Sequence, residues 1–169
     1  MKISLPFHLK EWINLHRNEL KPPVGNKVIW ANETFIVMVV GGPNVRTDFH
    51  VNSTEELFYQ LEGDMTLRVM VENEPKDIPI KEGEIFLLPP MIPHSPQRPK
   101  DTVGFLVETI RPPEQKDTFR WYCKQCHHPL YEEQIHVNDI EKQLSAVFQR
   151  FYSHTLSHLC SSCGTSFNA

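Results

Sequence analysis

The sequence predicts a mainly β protein: a barrel or sandwich of short strands, preceded by a helix and followed by a small helix-containing, metal-binding segment. Three observations carry this. Between Lys27 and Ile110, short runs rich in β-branched and aromatic residues recur, most of them closed by glycine, asparagine or proline turns. Helical spacing of apolar residues is confined to the start of the chain and to Val137–Tyr152. All four cysteines fall in the last third, as two Cys-x-x-Cys pairs flanking that second helix.

The elements follow in order. Leu9, Trp12, Ile13, Leu15 and His16 recur at helical spacing, and Lys21-Pro22-Pro23-Val24-Gly25-Asn26 breaks the pattern. Strands are expected at Lys27–Trp30 and Thr34–Val40. Gly41-Gly42-Pro43-Asn44 then reads as a turn rather than a phosphate loop, because no helix start follows it. Further strands are expected at Leu57–Leu61, Met65–Val71, Lys76–Ile80, Ile85–Leu88 and Val103–Ile110, with a proline-rich loop from Pro89 to Pro99. Arg111-Pro112-Pro113-Glu114-Gln115-Lys116-Asp117 reads as a linker, so residues 1–112 form the barrel and 113–169 a C-terminal extension. The helix Val137–Tyr152 presents Ile140, Leu144, Val147, Phe148 and Phe151 on one face.

Composition narrows the function classes. The chain has 169 residues, 40% of them hydrophobic, and a net charge of −4, which suits a globule with a sizeable core. There is no apolar run of the roughly 18 residues that a membrane span needs, and the N-terminus lacks the pattern of a secretory signal. Net acidity argues against a nucleic-acid partner, and Glu132, Glu133, Asp139 and Glu141 offset the basic residues of the tail. The expectation is a cytoplasmic protein without membrane or nucleic-acid partners.

The chemistry-bearing stretch runs from His50 to Gly63. His50 is followed six residues later by Glu56, then by a strand and a glycine turn; downstream, Gly83 precedes Pro89, and His94 follows five residues after that. These spacings resemble the cupin superfamily, whose motifs are His-x-His-x3/4-Glu-x6-Gly and Gly-x5-Pro-x-Gly-x2-His-x3-Asn, and imply a double-stranded β-helix, or jelly-roll barrel. Asn52 stands where that pattern has its second histidine, Met91 its second glycine, and Arg98 its final asparagine. The ligands left by the resemblance are His50, Glu56 and His94, a two-histidine, one-carboxylate set that suits Fe(II) with open positions. Strand alternation lets only one of Glu55 and Glu56 face inward; the resemblance selects Glu56.

Arg46, Arg98 and Glu108 flank these ligands. Charges in a barrel mouth are costly unless paired. Two guanidinium groups can receive a carboxylate, and a carboxylate opposite them can accept from an amine or hydroxyl. The pocket therefore suits a small molecule bearing both. Arg46-Thr47-Asp48-Phe49-His50, Glu55-Glu56-Leu57-Phe58-Tyr59-Gln60-Leu61, Phe86-Leu87-Leu88-Pro89-Pro90 and His94-Ser95-Pro96-Gln97-Arg98-Pro99 resemble the 3-hydroxyanthranilate 3,4-dioxygenases, as do Lys21-Pro22-Pro23-Val24 and Phe119-Arg120-Trp121-Tyr122-Cys123. The cysteine tail resembles the family's short microbial form.

The resemblance implies an Fe(II) enzyme that opens the aromatic ring of 3-hydroxyanthranilate with both atoms of O₂. Its product is 2-amino-3-carboxymuconate semialdehyde, which cyclises to quinolinate, a precursor of NAD. It assigns His50, Glu56 and His94 to the iron and Arg46, Arg98 and Glu108 to substrate and oxygen. It also adds Asn26 and Gln60 as pocket residues and implies a homodimer.

Cys123, Cys126, Cys160 and Cys163 can form one four-thiolate site for Zn²⁺ or a rubredoxin-like iron. The helix fills the thirty-three residues between the pairs. Two separate redox pairs are the alternative, but neither follows a strand–helix pattern. A closed four-thiolate site has no open position, so its expected role is structural, and His127, His128, His154 and His158 are expected to be surface residues. The competing functional reading is a non-catalytic cupin ligand sensor with a zinc-ribbon-like interaction tail; an intact iron triad counts against it.

Overall fold

The computed structural model describes residues 5–22, 25–44, 46–154 and 158–167. Pro23 and Val24 of the expected turn, and the Ile140 side chain, lie outside what is described. Helix α1 (Leu9–His16) leads into strands β1 (Asn26–Ala31), β2 (Phe35–Gly41), β3 (Phe49–Val51), β4 (Glu56–Glu62), β5 (Met65–Val71) and β6 (Glu74–Ile80). There follow β7 (Ile85–Leu88), β8 (His94–Gln97), β9 (Val103–Thr109), β10 (Asp117–Tyr122), β11 (Pro129–Ile135) and helix α2 (Ile140–Ser153). Among the described residues no helix is long and apolar enough to cross a membrane.

The strands form two antiparallel sheets, ordered β1-β2-β9-β4-β7 and β11-β10-β3-β8-β5-β6. Their inner faces meet in a core of Met38, Val40, Phe58, Met65, Leu67, Val69, Ile80, Leu88 and Leu106. Alternation explains the partition: along β5, Met65, Leu67 and Val69 are buried while Arg68 is exposed. Each such side chain contributes roughly 1.5–3 kcal/mol when fully buried. The β5–β6 hairpin turns through Glu72 and Asn73, both at positive φ, the backbone that a two-residue hairpin requires. Gly63, at φ +63°, makes the turn that closes β4. α1 packs Ile13 against Leu20, Val39 and Val103, whereas Leu15, expected on the same face, is 82% exposed because it falls outside that arc.

Four strands were not expected. β8 lies within the stretch read as a proline-rich loop. It pairs with β3 only at His50↔His94, so it tolerates Pro96. β3 is three residues long, too short to carry a period. β10 and β11 lie beyond the proline pair, and β10 pairs with β3 through Thr118↔Val51, Phe119↔His50 and Arg120↔Phe49. The six-stranded sheet therefore continues across the division placed at residues 112 and 113. Asp117, read as linker, is instead the first residue of a buried strand. Behind it, Phe119, Trp121, Val137, Val147, Phe151 and Phe167 form a second core, in which Trp121 stacks on Phe151 at 4.3 Å. α2 starts later than expected because Asp139 caps it, accepting from the Lys142 amide.

Candidate active site

Strand register builds the site. His50 on β3 lies directly opposite His94 on β8, and residues facing each other across an antiparallel pair project to the same side. Glu56 on β4 lies opposite Glu108 on β9 in the other sheet. The interior between the sheets thus receives two imidazoles from one wall and two carboxylates from the other. Glu56 is 3% exposed while Glu55 is at the surface.

His50 Nδ1 stands 3.4 Å from Glu56 Oε1, and His94 Nε2 stands 3.3 Å from Glu56 Oε2. One ligand atom from each of the three falls within 4.8 Å of the others, so the donor set and its geometry fit a metal held on one face. The remaining ring nitrogens are occupied. His94 Nδ1 contacts the Ile92 carbonyl at 2.9 Å, and His50 Nε2 contacts Asp117 Oδ2 at 2.7 Å. Such contacts fix the rings so that the opposite nitrogens, the ones a metal would take, face inward. The His50 ring also stacks on Phe119 at 5.0 Å. Asn52 donates to Glu56 Oε1 at 2.6 Å: the residue in place of the superfamily's second histidine steadies the carboxylate.

Burial and charge set the protonation states. Burial opposes a charged His50, but the hydrogen bond to Asp117 and the contacts with Glu56 outweigh it and raise its pKa to about 9. Burial likewise opposes ionised Glu56, and the two imidazoles outweigh it, holding the carboxyl well below its usual range. For Glu108, burial and then the charge of Glu56 push the pKa up, which Arg111 only partly offsets.

Arg46, Arg98, Glu108 and Asn26 line the same cavity, with Val40, Phe58 and Leu106 as its apolar walls. Arg98 is the most exacting of these. It is 4% exposed, donates from Nη1 to Gln60 Oε1 at 3.0 Å, and its Nε has no partner among the described residues. Burial lowers its pKa to about 10. Arg46 is gripped by Asp48, with Nε donating to Oδ1 at 2.7 Å. Gln60 does not line the cavity; it stands behind Arg98 and holds it.

The four cysteines come together separately, their sulfurs within 4.8 Å of one another. Cys123 and Cys163 are 3.6 Å apart, as are Cys126 and Cys160. Sulfurs at the Zn–S distance in a tetrahedron stand about 3.8 Å apart. Each pair sits on a matching turn: the His127 amide bonds the Cys123 carbonyl, and the Gly164 amide bonds the Cys160 carbonyl.

Asn52, Arg111 and Asp117 were missed. For Asp117 a signal was present, since Asp117, Phe119 and Trp121 share one period-two face, but the neighbouring prolines masked it.

A sequence model of 3-hydroxyanthranilic acid dioxygenase matches residues 1–152. The chain belongs to this dioxygenase family. It is 50% identical, over 94% of its length and 90% of the relative's, to a 3-hydroxyanthranilate 3,4-dioxygenase of Xanthomonas euvesicatoria pv. vesicatoria. It is 47% identical, over 94% and 88%, to one of Jannaschia sp.. Among solved structures, a cupin-2 domain protein of Shewanella frigidimarina superposes with a TM-score of 0.50 at 16% identity, covering 61% of this chain and 93% of that one. That likeness establishes the fold of this dioxygenase-family member as a cupin barrel.

Proposed function

We propose that the protein opens the ring of 3-hydroxyanthranilate with O₂ to give 2-amino-3-carboxymuconate semialdehyde, at an Fe(II) held by His50, Glu56 and His94. The observation that carries this reading is Arg98: a buried guanidinium with an unpartnered Nε beside a two-histidine, one-carboxylate set. An unpaired buried cation is costly, and a substrate carboxylate relieves that cost. Bound Fe(II) supplies Lewis acidity and one-electron chemistry toward O₂.

The chain's own residues do the rest. Arg98, with Arg46 beside it, receives the carboxylate and sets the ring's orientation. Glu108 accepts a hydrogen bond from the substrate's amine or hydroxyl, a role suited to a carboxyl whose pKa is raised by burial. Val40, Phe58 and Leu106 cover the ring and exclude water.

The four cysteines hold a second metal ion, Fe or Zn, with no open position and a structural role. Thiols serving as metal ligands suit a reducing compartment, which supports a cytoplasmic location. We also infer a homodimer. Its support is the outer face of the five-stranded sheet, where Ile85 (66% exposed) and Leu87 (58%) pair with Tyr59 and Leu57 in register, a contiguous apolar patch of the kind that interfaces cover.

The test is O₂ uptake by metal-stripped protein reloaded with Fe(II). Substrate and O₂ are expected to disappear in equal amounts, and His94→Ala is expected to lose both the barrel metal and turnover. A parent protein that binds iron in the barrel yet consumes neither overturns the reading.

A further inference from the structure

Asp117 and Arg111 lie outside every motif that the proposed function uses, yet both are among the most buried charges of the molecule, at 0% and 4% exposure. Asp117 enters the site from β10, 67 residues along the chain from its partner His50, whose Nε2 it contacts at 2.7 Å. Arg111 Nε donates to both Asp117 oxygens, at 3.1 and 3.0 Å. Its Nη2 lies 2.7 Å from Asp117 Oδ2 and 2.5 Å from Glu108 Oε2, close ion-pair contacts. One guanidinium therefore spans two carboxylates, one on the cavity wall and one behind the metal-facing histidine.

The physical consequence is directional. A carboxylate accepts only, so Asp117 holds a His50 proton on Nε2 and leaves Nδ1, which faces Glu56 and His94, as the nitrogen that gives up its proton to a metal. A carboxylate behind a ligating imidazole also raises the basicity of the ring. Arg111 pairs Asp117 through both carboxylate oxygens in a buried place where a lone carboxylate is costly, and the same group holds the carboxylate of Glu108.

We propose that Asp117 and Arg111 are positioning residues: Asp117 aims His50 Nδ1 at the metal, and Arg111 holds Asp117 and Glu108 together, so metal affinity and the grip on substrate depend on one guanidinium. The inference deepens the metal-site reading above and rests on it. It also gives the strand after the proline pair a part in the barrel site, since β10 supplies Asp117.

The experiment uses full-length, metal-stripped protein titrated with Co(II) against a competing chelator. The barrel ion is read from its d–d bands, and the thiolate site separately from its sulfur-to-metal charge-transfer bands. Asp117→Asn is expected to weaken the barrel site 10- to 100-fold and to shift its d–d bands, with the thiolate bands unchanged. Arg111→Lys is expected to weaken the barrel site at least tenfold and, once saturated with Fe(II), to raise KM for 3-hydroxyanthranilate. Asp117→Asn at iron saturation should lower kcat more than it raises KM.

Barrel affinity within twofold of the parent and unshifted d–d bands in folded Asp117→Asn overturn the proposal. If that variant does not fold, unchanged affinity in Arg111→Lys overturns it equally. A parent that binds Co(II) in the barrel but, reloaded with Fe(II), does not turn over 3-hydroxyanthranilate would defeat the functional reading instead, leaving the positioning role intact.

Discussion

Replacing Gly104 by alanine tests the substrate clamp without touching a polar atom. Gly104 lies on β9 between Val40 of β2 and Gln60 of β4, and the Arg98 guanidinium lies against its Cα. An added Cβ would stand 2.5 Å from Arg98 Nη1, 2.7 Å from Nη2 and 2.9 Å from Cζ. The group in the way is the end of a side chain, so it moves, but Arg98 is buried and has nowhere to go without leaving Gln60. A displaced charge-assisted contact forfeits about 1.5–3 kcal/mol, or about 10- to 150-fold in affinity for the carboxylate. The expected outcome in Gly104→Ala is a loss of that size in kcat/KM for 3-hydroxyanthranilate. Barrel metal content should be unchanged. The loss should shrink for 2-aminophenol, which has no carboxylate to lose. Steady-state O₂ uptake on both substrates measures it. If Gly104→Ala kept kcat/KM within twofold for the natural substrate, Arg98 would not be gripping its carboxylate.

Cys126→Ser is expected to remove one metal equivalent and lower the melting temperature, while turnover per barrel iron survives in the folded fraction; loss of all turnover with barrel iron retained would place the thiolate site in the catalytic cycle. The His50 imidazole, whose pKa rises from 6.5 to about 9 on folding, stabilises the metal-free protein by up to about 3 kcal/mol. That contribution is complete below pH 6.5 and is lost as pH rises through about 9. Urea unfolding of metal-free protein across this range should show the decline. In metal-loaded protein the trend should reverse, because the ligand nitrogen must shed its proton. Leu87→Asp should convert a dimer to a monomer by light scattering with the barrel metal retained; an unchanged mass would move the interface elsewhere.

Much of this protein was legible in the chain because the relevant patterns are local. Met65–Val71 and Ile85–Leu88 were read to the residue, since short apolar runs and the polar turns that bound them are local features of the chain. His50, Glu56 and His94, which the structure brings together, were singled out by spacings that resemble the cupin motifs, and the four cysteines by their pairing. The inward choice between Glu55 and Glu56 needed only the alternation of one strand and a motif. Short β3 and proline-bearing β8 carried no such period, and the strand beginning at Asp117 was hidden by the prolines before it.

What the tertiary structure decided are the partners of these residues. Asp117 reaches His50 because β10 lies against β3, Arg111 spans Glu108 and Asp117 from the connection between the end of β9 and the start of β10, and Gly104 matters only because the guanidinium of Arg98, just after β8, lies on it. A sequence records which side chains a strand turns inward, through a period set by its own backbone. It does not record which strand lies alongside. Buried charges must be neutralised by whatever that neighbour brings, so the residues supporting this site became visible only when the two sheets were assembled.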